Sequence, residues 1–264
     1  MSEHTKPSSA YLAIPCGAGT GIDPGTVQSL IGVMSSERIV HVDTRQSSAL
    51  TFNFNEQFVT ALNNKDKYGI EYFVMLHADI VPLNATWLDD LIHILEEHHL
   101  DVLSAVSPIK NANGLTSTAW DTNPWRPRRI SMQEIFLLPE TFTEVEPARM
   151  LGLPRGKKLL TNTGLMVLKL SSDSPSRYEP WWANFPGFTI RNRIVRAEGK
   201  WHAQFEPEDW NFSRWCNCKR LKIGATRAVK LHHCGNVAFN NTQPWGAMAT
   251  DQINTPDAVA KSGV

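Results

Sequence analysis

The chain has 264 residues, 42% of them hydrophobic and 20% charged, the balance of a folded protein with a real core rather than a disordered or fibrous one. That length accommodates one large α/β domain, or at a stretch two small ones. Lys plus Arg equals Asp plus Glu at 26 each, so overall charge drives the chain toward neither nucleic acid nor an anionic membrane; such affinity would have to come from local patches.

Residues 1–10 are polar and lack the basic-then-apolar pattern of a secretory signal, and no apolar run nears the roughly 18 residues that a spanning helix needs. The four Cys (Cys16, Cys216, Cys218, Cys234) make no disulfide framework for a chain of this size. A cytoplasmic setting without a membrane partner is the expectation.

Residues 11–16 form the first apolar run, followed by a loop with Gly17, Gly19 and Gly21. A buried strand, an irregular turn and a helix over 26–34 behind Gly25 follow from this pattern. Residues 38–43 read as a second strand ending at Asp43, and 55–62 as a second helix. The strongest strand is 72–76, which stops at His77-Ala-Asp79 and runs on through Ile80 and Val81 to Pro82. Residues 87–98 repeat apolar side chains at helical spacing, and 101–107 is another strand. This alternation predicts βαβ units and a mainly parallel sheet. Residues 110–158 are loosely patterned, Pro-rich and basic, with Trp125, Arg126, Arg128, Arg129, Lys157 and Lys158. A strand resumes at 164–168. A second loose stretch, 171–203, carries Trp181, Trp182, Arg191, Arg193 and Arg196. A helix over 211–218, strands near 221–223 and 228–231, and a polar, partly mobile tail from Asn240 complete the chain. There is no internal repeat and no clean linker.

Three clusters carry candidate chemistry. Open α/β sheets bind ligands at the carboxyl ends of their strands, where Asp79 is placed. Residues two apart in an extended segment face one side, which puts His77 with Asp79. Asp79 would give a carboxylate oxygen to a hard cation, Mg²⁺ or Mn²⁺; the plainer reading is a turn cap before Pro82. The second cluster is Glu206, Glu208 and Asp209, directly before a helix. These cap the helix dipole, or one of them deprotonates an acceptor hydroxyl. The third is His232-His233 after a strand, a satisfied loop pair or one metal ligand. Cys216 and Cys218 with these His raise a zinc site, against which stands a Cys spacing of one. The Gly-rich loop lacks Gly-Lys-Ser/Thr and does not fit the dinucleotide fingerprint, so P-loop and Rossmann dehydrogenase readings fall away.

Taken in order, these segments resemble the GT-A glycosyltransferases, closest to the family-2-like branch with some likeness to polypeptide GalNAc-transferases. Residues 11–16, with Pro15 and Cys16, are similar to the strand that holds the nucleotide base. Asp43 stands where an acidic residue touches base or ribose. Residues 72–79 resemble the strand ending in the Asp-x-Asp signature, with His77 in place of its first Asp. Residues 161–165, Asn162 among them, resemble the acceptor-side strand. Residues 206–215 resemble the Glu-Asp segment and its helix, and 221–235 the closing strands that deliver a His ligand.

The resemblance implies an α/β, GT-A Rossmann-like sandwich with a mainly parallel mixed central sheet and helices on both faces. It implies one domain over 1–264, with a nucleotide-binding half (1–109), an acceptor-side half (110–239) and a tail. It implies a nucleoside-diphosphate sugar donor, UDP-linked, contacted by Pro15, Cys16, Asp43, His77 and Asp79. A divalent metal (Mn or Mg) would be held by Asp79, His233 and His77, and Asp209 or Glu208 would act on the acceptor hydroxyl. Trp125, Arg126, Asn162, Arg191 and Trp210 are the acceptor-side candidates. Basic residues interleaved with Trp suit phosphate contact and base stacking, which makes a modified DNA base one candidate acceptor; a saccharide or protein acceptor behind a solvated basic rim is the other. A sugar-nucleotide nucleotidyltransferase and a non-catalytic nucleic-acid-binding module are the competing functions.

Overall fold

A computed structural model describes residues 9–34, 36, 38–123, 125–170 and 180–246. Alternate side chains of the first strand, β1 (Ser9–Gly17), enter two different cores, Ala10, Leu12 and Ile14 on one side and Tyr11 and Ala13 on the other. Burial on both faces is why this strand reads as a continuous apolar run. Helix α1 (Pro24–Met34) starts on a Pro, whose fixed φ and missing N–H suit the first helical position. Strand β2 (Ile39–Ser47) pairs parallel to β1 as far as Gly17↔Ser47, past the predicted end at Asp43. It is an edge strand, and an edge needs no apolar run to continue: Asp43 and Arg45 pair with each other at 2.9 Å.

Helix α2 (Leu50–Tyr68) is longer than predicted and buries Phe54, Phe58 and Ala61 along one stripe. It closes on Gly69 in the left-handed conformation, whose N–H reaches the Lys65 carbonyl. Strand β3 (Ile70–Leu76) returns beside β1, again parallel. Strand β4 (Ile80–Pro82) then leaves the main sheet, α3 (Trp87–Glu97) buries Trp87, Leu88, Leu91, Ile92 and Leu95, and β5 (Val102–Ala105) follows.

The stretch 110–158 is ordered rather than loose. It holds β6 (Leu115–Trp120), β7 (Arg128–Ser131), α4 (Met132–Ile135) opened by a Ser131/Glu134 capping box, β8 (Thr141–Phe142) and α5 (Val145–Met150). With β9 (Leu159–Leu160), strands β6 and β7 make a small antiparallel sheet in the order β7-β6-β9. These strands are short and half polar, and their core (Trp120, Ile130, Ile135, Phe142, Leu159) is assembled from distant pieces that no local periodicity displays.

Strand β10 (Leu165–Lys169) inserts antiparallel between β3 and β5. Of the second loose stretch, 171–179 lies outside the described residues, and the rest contains a 3-10 turn (Trp181–Asn184) and a hairpin, β11 (Arg191–Ala197) with β12 (Lys200–Glu206). Helix α6 (Glu208–Cys218), β13 (Ile223–Thr226), β14 (Leu231–Cys234) and β15 (Ala238–Asn240) end the described chain. The strand expected at 228–231 begins only at Leu231, because 227–230 form the turn into it. Of the tail, Asn241 is buried and Trp245 stacks on Phe239 at 5.8 Å, while 247–264 lies outside the described residues.

The seven-stranded central sheet runs β2-β1-β3-β10-β5-β13-β8, with β10 and β8 against the direction of the other five. Helices α1 and α3 cover one face and α2 and α6 the other. This is the α/β Rossmann-like sandwich, mainly parallel with helices on both faces, that the sequence predicts. Among the described residues, no helix is long and apolar enough to cross a membrane.

Candidate active site

Strands β1, β3, β5 and β13 all end at one edge of the sheet, and the antiparallel β10 begins there, with Leu165 opposite Leu76. A helix that feeds a parallel strand runs back against it, so the N-terminus of α6 lies at this edge too. The fold thereby gathers Cys16, residues 77–79, 161–164 and Glu208-Asp209, which are far apart in sequence.

His77-Ala-Asp79 is a turn and not an extension of β3, so the same-face argument for His77 and Asp79 does not apply. The turn is braced from α1: the Thr26 hydroxyl donates to the carbonyls of Ala78 at 3.2 Å and Ile80 at 2.8 Å. Asp79 instead meets residues from other elements. His233 Nε2 stands 3.7 Å from its Oδ2, and the Lys110 ammonium pairs with the same oxygen. Burial pushes the Asp79 carboxyl up, but His233 and Lys110 together hold it well below the usual carboxylate range.

The pairing of β14 with β4 decides between the two His, because His233 lies opposite Ile80 and turns toward Asp79 while His232 lies opposite Val81. His233 Nδ1 is 2.7 Å from the Pro108 carbonyl. A carbonyl can only accept, so Nδ1 donates to it and Nε2 is the ring nitrogen that faces Asp79. Among the described residues no group of three or more His, Cys, Asp or Glu forms a ready-made metal cage. Two donors, Asp79 Oδ2 and His233 Nε2, nevertheless fit a hard divalent cation that draws its other ligands from a diphosphate and water. The ammonium on Asp79 marks the same spot as one that favours positive charge.

His77 faces elsewhere. Its Nε2 is 3.4 Å from the Thr163 hydroxyl and its ring stacks obliquely on Phe54 at 5.1 Å. Burial pushes the imidazole down to about 4, which leaves it neutral at neutral pH.

Thr163 also lies beside Glu208, whose charged form it favours, and so stands between the Asp79 turn and the carboxylates of α6. Burial raises the Glu208 carboxyl; it raises Asp209 as well, with Glu208 beside it adding to the effect and Arg129 opposing it. Asp209 Oδ1 accepts from the Trp210 N–H at 2.7 Å, and Ser213 Oγ ties the Asp209 carbonyl (2.8 Å) to the Thr161 N–H (3.0 Å). Glu206 has a different task. Its fully buried carboxylate holds Arg214 and, at 2.8 Å, Arg191, while Arg214 also grips Asp121 through two bonds of 2.8 and 3.0 Å.

Several predicted contacts are framework instead. Asn162 is buried, its amide donating to the Ala105 carbonyl and accepting from the Gly164 N–H at 2.9 Å each, so it shapes the loop and is not offered to an acceptor. Trp210 is buried, its Nε1 bonded to the Ser117 carbonyl at 2.9 Å and its ring under the Arg129 guanidinium at 4.5 Å. Asp43 sits within β2, not at its end, and its Oδ2 accepts from Tyr11 at 2.5 Å and Arg45 at 2.9 Å. Pro15 and Cys16 close β1, where Asn53 donates to the Cys16 carbonyl at 2.9 Å. Arg126 is exposed, and Trp125 lies beneath Arg193 at 4.0 Å and Arg191 at 5.3 Å. The basic rim is thinner than expected, since Arg128 pairs with Glu134 and Arg129 turns inward. Cys216 is in the core and Cys218 is exposed, so the two cannot converge on zinc.

Sequence reasoning missed Lys110, Thr163 and the inward role of Arg129. Only position could have flagged the first two, just beyond the end of β5 and just before β10.

No known family model matches the chain, and no curated protein matches it in sequence. Among solved structures it superposes on the crystal structure of A197 from STIV with a TM-score of 0.52 and 12% identity, over 90% of this chain and 94% of that one. At that identity the likeness is one of fold.

Proposed function

We propose that the protein is a glycosyltransferase that moves a sugar from a nucleoside diphosphate to an acceptor hydroxyl. One observation carries this reading: the Asp79–His233 pair and the raised Glu208–Asp209 pair share the carboxyl edge of the sheet, with Thr163 between them. The donor diphosphate lies at Asp79, with Lys110 within reach of its charge, and the nucleoside toward the end of β1. Asp79 and His233 hold a divalent cation, which when bound supplies Lewis-acid stabilisation of the leaving diphosphate. Asp209 takes the acceptor's hydroxyl proton as that oxygen bonds the anomeric carbon and the bond from that carbon to the diphosphate breaks. Its raised proton affinity makes it a stronger base than an ordinary carboxylate, and Arg129 keeps an ionised form accessible.

The Lys110–Asp79 ion pair favours a second reading, in which the ammonium and not a metal neutralises the diphosphate. Slow hydrolysis of a panel of sugar nucleotides, measured with Mn²⁺ and with EDTA, tests both. Hydrolysis that EDTA stops and Asp79→Asn abolishes supports the metal form. Hydrolysis that ignores EDTA but falls in Lys110→Ala supports the second. No hydrolysis of any donor sinks the transferase reading.

A further inference from the structure

The hairpin β11–β12 is the largest feature of the described chain that the catalytic reading leaves unused. Directly opposed residues share a face, so Asn192 with Phe205, Ile194 with Ala203 and Arg196 with Trp201 line one side of it. That side is open: Ile194 is 75% exposed, Trp201 71% and Phe205 48%. The other side turns toward the body, where Arg193 and Arg191 lie over Trp125. A shallow depression, largely open to solvent, runs along the same strands and is lined by Asn192, Ile194, Ala203 and Phe205 with Arg193 and Gln204.

Apolar rings on an open, two-stranded ribbon call for a partner, and the charge says which kind. The open face carries Arg196, and Lys200 stands exposed beside the turn with Glu198, while Arg191 and Arg193 lie on the body side, Arg191 on the Glu206 carboxylate that Arg214 also holds. The Arg196 guanidinium hangs 5.9 Å from the Trp201 ring, a cation beside a stacking surface. Two copies of such an arm would repel one another, and a neutral saccharide would use the rings but not the cations. A polyanion with flat, accessible rings uses both. Its bases have to be unpaired to reach Trp201 and Phe205, which excludes an intact duplex.

We infer that the open face of this hairpin docks single-stranded nucleic acid. The arm joins α6 through Pro207, one residue before the Glu208–Asp209 pair, so the docked strand is the acceptor class; this last step rests on the transferase reading above.

The test measures fluorescence anisotropy of labelled twelve-nucleotide DNA and RNA strands, and of the matching DNA duplex, with the full chain. At least one single strand should bind more tightly than the duplex. Log affinity should fall with log salt at a slope of roughly −1.4, as Arg196 and Lys200 displace counterions from a single strand. Trp201→Ala/Phe205→Ala should weaken binding by about tenfold or more, and so should Arg196→Glu/Lys200→Glu, with melting temperatures kept because these side chains are exposed. Absence of binding at low salt, binding that neither variant weakens, or a preference for duplex overturns the proposal. So does a concentration-dependent dimer in sedimentation that Trp201→Ala/Phe205→Ala dissolves, which would assign the face to a second copy. Donor hydrolysis by the unaltered chain is read separately. Hydrolysis without strand binding overturns the docking surface alone, whereas strand binding without hydrolysis keeps the docking surface and overturns the transferase reading.

Discussion

Asp209 opens α6 with its carboxyl pushed up to about 8, by burial first and by Glu208 next, against Arg129 and the Trp210 N–H. The two carboxylates titrate as a pair, so the pH dependence belongs to both. A base has to be ionised to act, and transfer should therefore rise with pH and level off above about 8; a pH–rate profile with a fixed donor checks this. Asp209→Asn should lower the rate by about 10²–10⁴-fold and remove the rising limb. The same group marks stability with the opposite sign. Its folded value lies above its ordinary 3.8, so the folded state binds the extra proton and is favoured at low pH. That contribution fades as pH rises from 3.8 toward about 8, and denaturant midpoints across this window should fall less steeply in Asp209→Asn. Asp79 behaves otherwise. Its side chain is 40% exposed and that of Lys110 35%, so solvent screens the pair, and Asp79→Asn should cost only about 0–1 kcal/mol while abolishing metal-dependent hydrolysis.

At the scale of elements, α1 presses unusually close to the turn before α3. A Cβ on Gly32 would lie 2.1 Å from the Ala85 carbonyl oxygen. Helix propensity alone favours Ala over Gly by about 1 kcal/mol. The backbone clash outweighs it, because neither carbonyl nor helix can swing aside as a flexible side chain would. Gly32→Ala should thus destabilise by about 1–3 kcal/mol in urea unfolding, and a gain in stability would refute the close approach. The base of the hairpin is fastened by Glu206, with Arg214 and Arg191 on its buried carboxylate. Glu206→Gln leaves Arg214 its Asp121 partner and Arg191 half in solvent, so the cost should be about 2–3 kcal/mol, below that of a wholly orphaned buried charge. Limited proteolysis within 191–206 should quicken in the same variant.

Across the whole molecule the site is a property of the sheet edge, and a ligand spanning it should stabilise the native state alone. A hydrolysable donor with Mn²⁺ at about 100 times its dissociation constant should add roughly 2.7 kcal/mol, read as a rise in melting temperature that Asp79→Asn removes.

What the amino-acid order determined unaided is the doubly covered half of the fold. Strands buried on both faces are continuous apolar runs, and their helices carry one apolar stripe, so residues 11–16, 72–76 and 87–97 announce themselves within a window of a few turns. Asp79 was legible for the same reason, as a carboxylate that interrupts such a run at its carboxyl end. The partners of Asp79 were not. Lys110 and His233 reach it from beyond β5 and from β14, and only the pairing of β14 with β4 turns His233 and not His232 toward it. The same holds for Thr163 beside His77, for Arg129 folded over Trp210 within reach of the Asp209 charge, and for an exposed hairpin in a stretch without periodicity. Periodicity reports which side of an element meets apolar matter, a local quantity. Which charges meet across the edge of the sheet is set by strand order and register, and the antiparallel entry of β10 between β3 and β5 is the step that only the tertiary structure decided.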